Sequence, residues 1–131
     1  MVTLWYRSPE ILLGEERYAA PVDIWSLGCV LAECINNRPL FAESSQIGML
    51  MKIFRELGAP TEEVWPGVGA LPNAQILTAG WAPSWKLDQP LAPQLAEVAP
   101  AAVALLKTML VYNPAARVTA HAALHLSLIH I

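Results

Sequence analysis

The spacing of apolar and polar positions predicts a mainly helical chain. Val2 to Tyr6 reads as a short strand. Pro9 keeps the residue before it out of helical geometry and suits a first turn, so a short helix is expected over 9–13, stopped at Gly14. A small polar connection, 15–20, leads to Pro21, which opens the strongest helix. Residues 22–35 are apolar on nearly every side, and such a helix is normally enclosed on all sides. Asn36 and Asn37 end it, and Arg38-Pro39 forbids continuation. Ser44 or Ser45 can cap a second long helix, whose Ile47, Leu50, Met51, Phe54 and Leu57 recur at three and four. Gly58 closes it, and Thr61 can cap a short helical turn through Val64, with Glu62 and Glu63 well placed against the dipole. Pro100 opens a further helix with Val103, Leu106, Met109 and Leu110 on one face, broken at Asn113-Pro114. Thr119 can cap a last one over 120–124.

Between them, residues 66–93 are rich in Pro, Gly and Trp and have little period. A loop that long inside a domain signals function or disorder, and Trp81 and Trp85 argue that part of it is packed down. The last residues, 126–131, carry no cap, charge or turn logic and are apolar where a terminus should be wet; they read as a non-native or disordered tail.

Composition sharpens this picture. The chain has 131 residues, about one domain at most, and 55% of them are hydrophobic while only 15% are charged. Extended disorder is excluded for most of it. A chain this short has difficulty surrounding a helix like 22–35, so the expectation is a piece of something larger. Net charge is −3 and the eight basic residues are scattered, which argues against nucleic acid. No apolar run is long enough to span a bilayer, and no basic region followed by an apolar core marks a secretory signal. Cys29 and Cys34 would sit about 140° apart on one helix, too poorly placed for a disulfide, so both read as buried thiols in a reducing compartment. His121, His125 and His130 have no cysteine near them and no metal spacing. Trp5, Tyr6 and Trp25 read as core and platform residues, and Tyr18 and Tyr112 as packing residues with polar tips.

The stretch Thr3-Leu4-Trp5-Tyr6-Arg7-Ser8-Pro9-Glu10-Ile11-Leu12-Leu13-Gly14 resembles the end of the activation segment of eukaryotic protein kinases, with Ser8-Pro9-Glu10 similar to the A-P-E motif. Trp5-Tyr6-Arg7 resembles the cyclin-dependent branch. Further matches follow in family order: Asp23 to Cys29, Arg38 to Phe41, Leu57 to Thr61 with Val64 to Val68, and Met109 to Arg117. The resemblance covers 2–125 and implies a partial kinase C-lobe, with helices packed around a buried central helix and 59–93 as the insert of this branch. Departures are mild: Ser8 for Ala, Gly-Ala-Pro-Thr for Gly-Thr-Pro, and Ala42-Glu43 for a glycine pair or His-Gly.

Residue by residue, the resemblance implies that Thr3 supports the catalytic base, against a plain strand threonine. Val2 and Arg7 shape the pocket after the phosphorylated residue, against a surface cation at Arg7. Glu10 and Arg117 form a buried ion pair, against two independent surface charges. Asp23 accepts from the catalytic-loop backbone, against a simple helix N-terminal aspartate, and Trp25 is structural. It implies a parent enzyme moving the ATP γ-phosphate, with Mg²⁺, to Ser/Thr before Pro. Its partners would be a cyclin, a small regulatory subunit and Ser/Thr-Pro proteins, in nucleus and cytoplasm. No glycine loop, H-R-D or D-F-G occurs, and the only aspartates are Asp23 and Asp88. The chain by itself is therefore expected to bind neither ATP nor metal and to be inactive. A non-catalytic docking module or a pseudokinase fragment is the alternative.

Overall fold

The computed structural model describes residues 4–78 and 100–124. Among them the chain is helical, with no β-sheet. The helices are α1 (Pro9–Leu12), α2 (Pro21–Asn36), α3 (Gln46–Leu57), α4 (Pro100–Met109) and α5, which begins at 120 and is described as far as 124, with 3-10 turns at Val68–Ala70, Ala74–Thr78 and Pro114–Ala116.

Local chemistry sets most of the boundaries. Pro9 and Pro21 occupy the first turns of α1 and α2, where a missing N–H costs nothing. α2 stops at Asn37, which takes a left-handed conformation (φ 61°) and returns its N–H to the Glu33 carbonyl. Ser45 caps α3 by accepting from the Gly48 N–H at 2.9 Å, and Thr119 caps α5 by accepting from the Ala122 N–H at 3.1 Å. Gly14, at φ 100°, lets the chain leave α1, and a Cβ there would lie 2.9 Å from Pro72. The turn carrying Pro72 also supplies Asn73. Its backbone N–H and side-chain amide donate to the Leu13 and Leu12 carbonyls at 2.9 and 3.3 Å, which satisfies the otherwise open end of α1.

The core is built on Trp25, which is fully buried on α2. Its ring stacks on Phe41 (centroids 6.2 Å) and on Tyr112 (6.3 Å). Tyr112 in turn stacks on Trp65 at 6.3 Å and meets Phe54 edge-on at 6.1 Å. α2 and α4 approach closely at Gly28, where a Cβ would fall 2.9 Å from Leu110 Cδ2 and 3.2 Å from Met109 Cβ. The face expected for α4 is the buried one: Val103, Leu106, Met109 and Leu110.

Several expectations need correction. Trp5 and Tyr6 lie in a turn closed by the Arg7 N–H on the Leu4 carbonyl at 3.1 Å, not in a strand. α3 buries Met49, Leu50, Ile53, Phe54 and Leu57, while Ile47 is 56% exposed. Thr61 caps a turn as expected, accepting from the Val64 N–H at 3.3 Å while the Trp65 N–H closes on the Thr61 carbonyl at 2.8 Å, but Glu62 serves another purpose there. Its carboxylate accepts from the Gly67 and Gly69 N–H groups at 2.8 and 2.9 Å, which hold it below the ordinary carboxylate range. Cys34 and Tyr18 are exposed. Trp81 and Trp85 lie outside the described residues, as do His125, His130 and the tail.

α2 is not enclosed on all sides. Ile24, Trp25, Gly28, Cys29 and Ala32 are buried, but Leu27 is 53% and Val30 43% exposed. Asp23, Leu27, Val30 and Cys34 fall within about 60° of one another around the axis, so the exposed residues make one stripe. Leu27 and Val30 are its apolar members, with Asp23 towards one end and Cys34 at the other.

Candidate functional site

The motif-bearing segment, 4–13, is fixed to the rest of the molecule at two places. The first is the turn before α1. The Ser26 Oγ donates to the Tyr6 carbonyl at 2.6 Å, and the Tyr6 hydroxyl donates to Glu33 Oε1 at 2.6 Å. Ser26 and Glu33 stand seven residues apart on α2, nearly in line along the helix, so one residue of the turn is held at both its backbone and its tip. The bond to Glu33 favours the neutral phenol and raises the Tyr6 pKa, with smaller contributions from burial and from the nearby carboxylate charge. Tyr6, Val30, Glu33, Cys34 and Asn37 line a shallow cavity of about 320 Å³.

The second place is the base of α1. Arg117 reaches Glu10 through two parallel bonds, Nη1 to Oε2 at 2.6 Å and Nη2 to Oε1 at 2.7 Å. Its other donors serve the Val111 carbonyl (Nε, 2.7 Å), the Pro21 carbonyl (Nη1, 3.0 Å) and the Tyr112 carbonyl (Nη2, 3.2 Å). The guanidinium carbon lies 5.2 Å from the centre of the Trp25 ring. Glu10 and Arg117 are both buried, and the pair is tolerable because all five guanidinium donors are used. It joins α1 to the start of α2 and to the turn after α4, across 107 positions of sequence. Two buried polar atoms, Ser8 Oγ and Trp25 Nε1, have no hydrogen-bond partner among the described residues.

The structure thus brings Glu10, Arg117 and Trp25 together. Arg7 stands half-buried between the Tyr6 clamp and α1, and Asp23 is exposed in the first turn of α2. Val2 and Thr3 lie outside the described residues. Sequence reasoning missed the Tyr6–Glu33 and Ser26 bonds. The available signal was that Ser26 and Glu33 are polar positions at seven-residue spacing in an otherwise apolar helix.

The two thiols differ sharply. Burial pushes the Cys29 thiol up to about 12, offset in part by the Arg117 charge, whereas Cys34 is exposed on the stripe. An alkylating reagent near pH 8 is expected to modify Cys34 alone in the native chain and both thiols in denaturant, read by intact mass. Equal native rates would contradict the fold around Cys29. Because folding raises this pKa, the associated stability is present below the ordinary thiol value and is lost as pH rises towards 12.

The model of the protein kinase domain matches residues 1–129.

Proposed function

This chain belongs to the protein kinase domain family, and on that premise we propose that it is the C-terminal part of the C-lobe of a cyclin-dependent-type Ser/Thr kinase. In the intact parent it would form the wall that receives Ser or Thr followed by Pro. The observation that carries this reading is the segment Thr3 to Gly14, held at Tyr6 by α2 and at Glu10 by Arg117. A substrate pocket must be rigid to discriminate, and these two attachments supply that rigidity.

The preference for proline follows from hydrogen-bond supply. By resemblance, Arg7 satisfies the backbone carbonyl of the Val2 region, leaving no acceptor for the N–H of the residue after the phosphorylated one. An ordinary residue there would bury an unpaired N–H, at about 1–3 kcal/mol; proline has none to bury. Thr3 would support the catalytic base, and Asp23, now exposed, would accept from the catalytic-loop backbone.

The 131 residues do not fit ATP or Mg²⁺ on their own. They contain no glycine-rich phosphate loop, no H-R-D and no D-F-G. Among the described residues no three metal-ligating side chains cluster. Nucleotide, metal and cyclin binding belong to the proposed parent, in nucleus and cytoplasm. The exposed stripe of Leu27 and Val30 on α2 supports a covering by further kinase-domain sequence.

The test is to join this chain to an upstream kinase portion bearing the catalytic motifs and compare Ser-Pro with Ser-Ala peptides. We expect kcat/KM to favour Ser-Pro by at least about tenfold, with the preference reduced in Arg7→Ala. Equal rates on the two peptides would overturn the assignment. The alternative, a non-catalytic docking module or pseudokinase fragment, draws on the loop that Glu62 organises at Gly67 and Gly69. Capture of the small regulatory subunit by the isolated chain would favour it.

A further inference from the structure

The three tyrosines of the chain occupy three different environments. Tyr112 is fully buried and its hydroxyl donates to the Gly58 carbonyl. Tyr6 is half-buried and its hydroxyl donates to Glu33. Tyr18 is 61% exposed, and its hydroxyl has no hydrogen-bond partner among the described residues. It is thus the tyrosine whose oxygen is open to a second macromolecule without any prior unfolding.

Its backbone is equally suited. Residues 15–19 have no regular secondary structure, and 16–20 are all exposed. The segment is tied to its neighbours by the Glu15 N–H on the Glu10 carbonyl at 2.8 Å and by the Val22 N–H on the Ala19 carbonyl at 3.1 Å, and within it the Arg17 N–H donates to the exposed Glu15 carboxylate at 2.9 Å. Between its two ends the chain can lie extended in a foreign active site at little cost, which is how exposed loops present modifiable residues. The local sequence is chemically biased as well. Glu15 and Glu16 stand three and two positions before Tyr18, and two alanines follow it. The one bond the Glu15 carboxylate makes among the described residues, from the Arg17 N–H, is exposed and cheap to exchange for a bond to a partner. Tyr18 also lines a groove of about 350 Å³ together with Arg17, Pro21, Trp65, Pro66 and Leu71.

We propose that Tyr18 is a phosphorylation site for a separate, acid-directed protein tyrosine kinase. In the step, the Tyr18 oxygen forms a bond to the γ-phosphorus of ATP. The bond from that phosphorus to the bridging oxygen breaks and ADP leaves. The phenolic proton passes to the general base of the modifying enzyme. The product adds negative charge to a groove that Arg17 also lines, between the 15–22 connection and the 65–71 turn.

The proposal stands apart from the Ser/Thr-Pro reading and is tested without it. The full chain is incubated with the catalytic domain of an acid-directed tyrosine kinase and Mg·ATP, and phosphorylated residues are mapped by tandem mass spectrometry over time. Tyr18 is expected to be labelled at least about tenfold faster than Tyr6 or Tyr112, since the other two need local opening first. Tyr18→Phe should remove the fast phase, and the double substitution Glu15→Gln with Glu16→Gln should slow it several-fold. Tyr112 serves as an internal reporter of folding, because its labelling requires the core to open. Comparable labelling of Tyr112 or Tyr6, an unlabelled Tyr18, or an unchanged rate in the double glutamine variant would each overturn the proposal.

Discussion

Replacing Arg117 by Ala is expected to destabilise the chain by about 3–5 kcal/mol, because the change leaves Glu10 charged, buried and unpaired. That is a large fraction of the roughly 5–15 kcal/mol that hold an ordinary domain folded, so most molecules of the variant should be unfolded at moderate denaturant. The geometry says why the cost is high. The guanidinium does more than balance one carboxylate: it also serves carbonyls of Pro21, Val111 and Tyr112 and covers the Trp25 ring. Arg117→Lys keeps the charge but loses the planar fork, and cannot serve four partners at once; it should recover only part of the loss. The measurement is a urea titration followed by tryptophan fluorescence on wild type, Arg117→Ala, Glu10→Ala and the double variant. In the double variant no charge is left stranded, so its cost should be well below the sum of the single ones. A cost for Arg117→Ala within about 0.5 kcal/mol of zero, the range of an ordinary surface change, would mean the pair does not hold the fold together.

The pair shows how far the sequence could be read. Nothing in periodicity connects residues 10 and 117; only the resemblance of the two motifs did so, and the geometry then supplied the carbonyl partners. Helix ends were legible because their causes are local: proline at the first turn of α1 and α2, a left-handed asparagine after α2, Ser45 and Thr119 as caps. The face of α3 was only half legible. Leu50, Phe54 and Leu57 are common to the expected and observed faces, but the helix has apolar residues on both sides of them. Ile47 and Met51 flank one edge, Met49 and Ile53 the other. The period alone does not choose between edges; packing against α1 and the rest of the core does. Tyr18 was misread for the opposite reason. An aromatic residue beside apolar ones suggests packing, but it sits on a connection with nothing over it. The reading of α2 as enclosed on all sides holds for one face only, since Asp23, Leu27, Val30 and Cys34 form an exposed stripe along it. The polar clamp of Tyr6 on Ser26 and Glu33 was hidden because it depends on how the turn over 4–7 lies against α2. The expectations for Val2 and Thr3, and for the insert beyond residue 78, rest on residues outside those described.

Tyr112→Ala is expected to cost about as much as the loss of Arg117, for a different reason. The side chain is fully enclosed, and three aromatic rings are arranged on it: Trp25 and Trp65 stacked, Phe54 edge-on. Truncation removes the ring's transfer free energy and leaves a cavity between residues that belong to α2, α3 and the 65–68 turn, at about 3–5 kcal/mol for an aromatic-to-alanine change. Collapse is hard here, because the backbone of the Arg117 network fixes the Tyr112 carbonyl in place. Tyr112→Phe separates packing from hydrogen bonding. It keeps every ring contact and removes the hydroxyl that serves the Gly58 carbonyl just after α3, so about 1–3 kcal/mol should be lost. The same burial raises the Tyr112 phenol well above its ordinary value. Since the folded pKa is the higher one, the corresponding stability is complete below the ordinary phenol range and is lost as pH climbs above it; Tyr112→Phe should lose that part of the alkaline sensitivity. Urea midpoints for both variants, measured at neutral and alkaline pH, decide the matter. If the phenylalanine variant proved as unstable as the alanine one, the hydroxyl rather than the ring stack would be what organises this corner of the core.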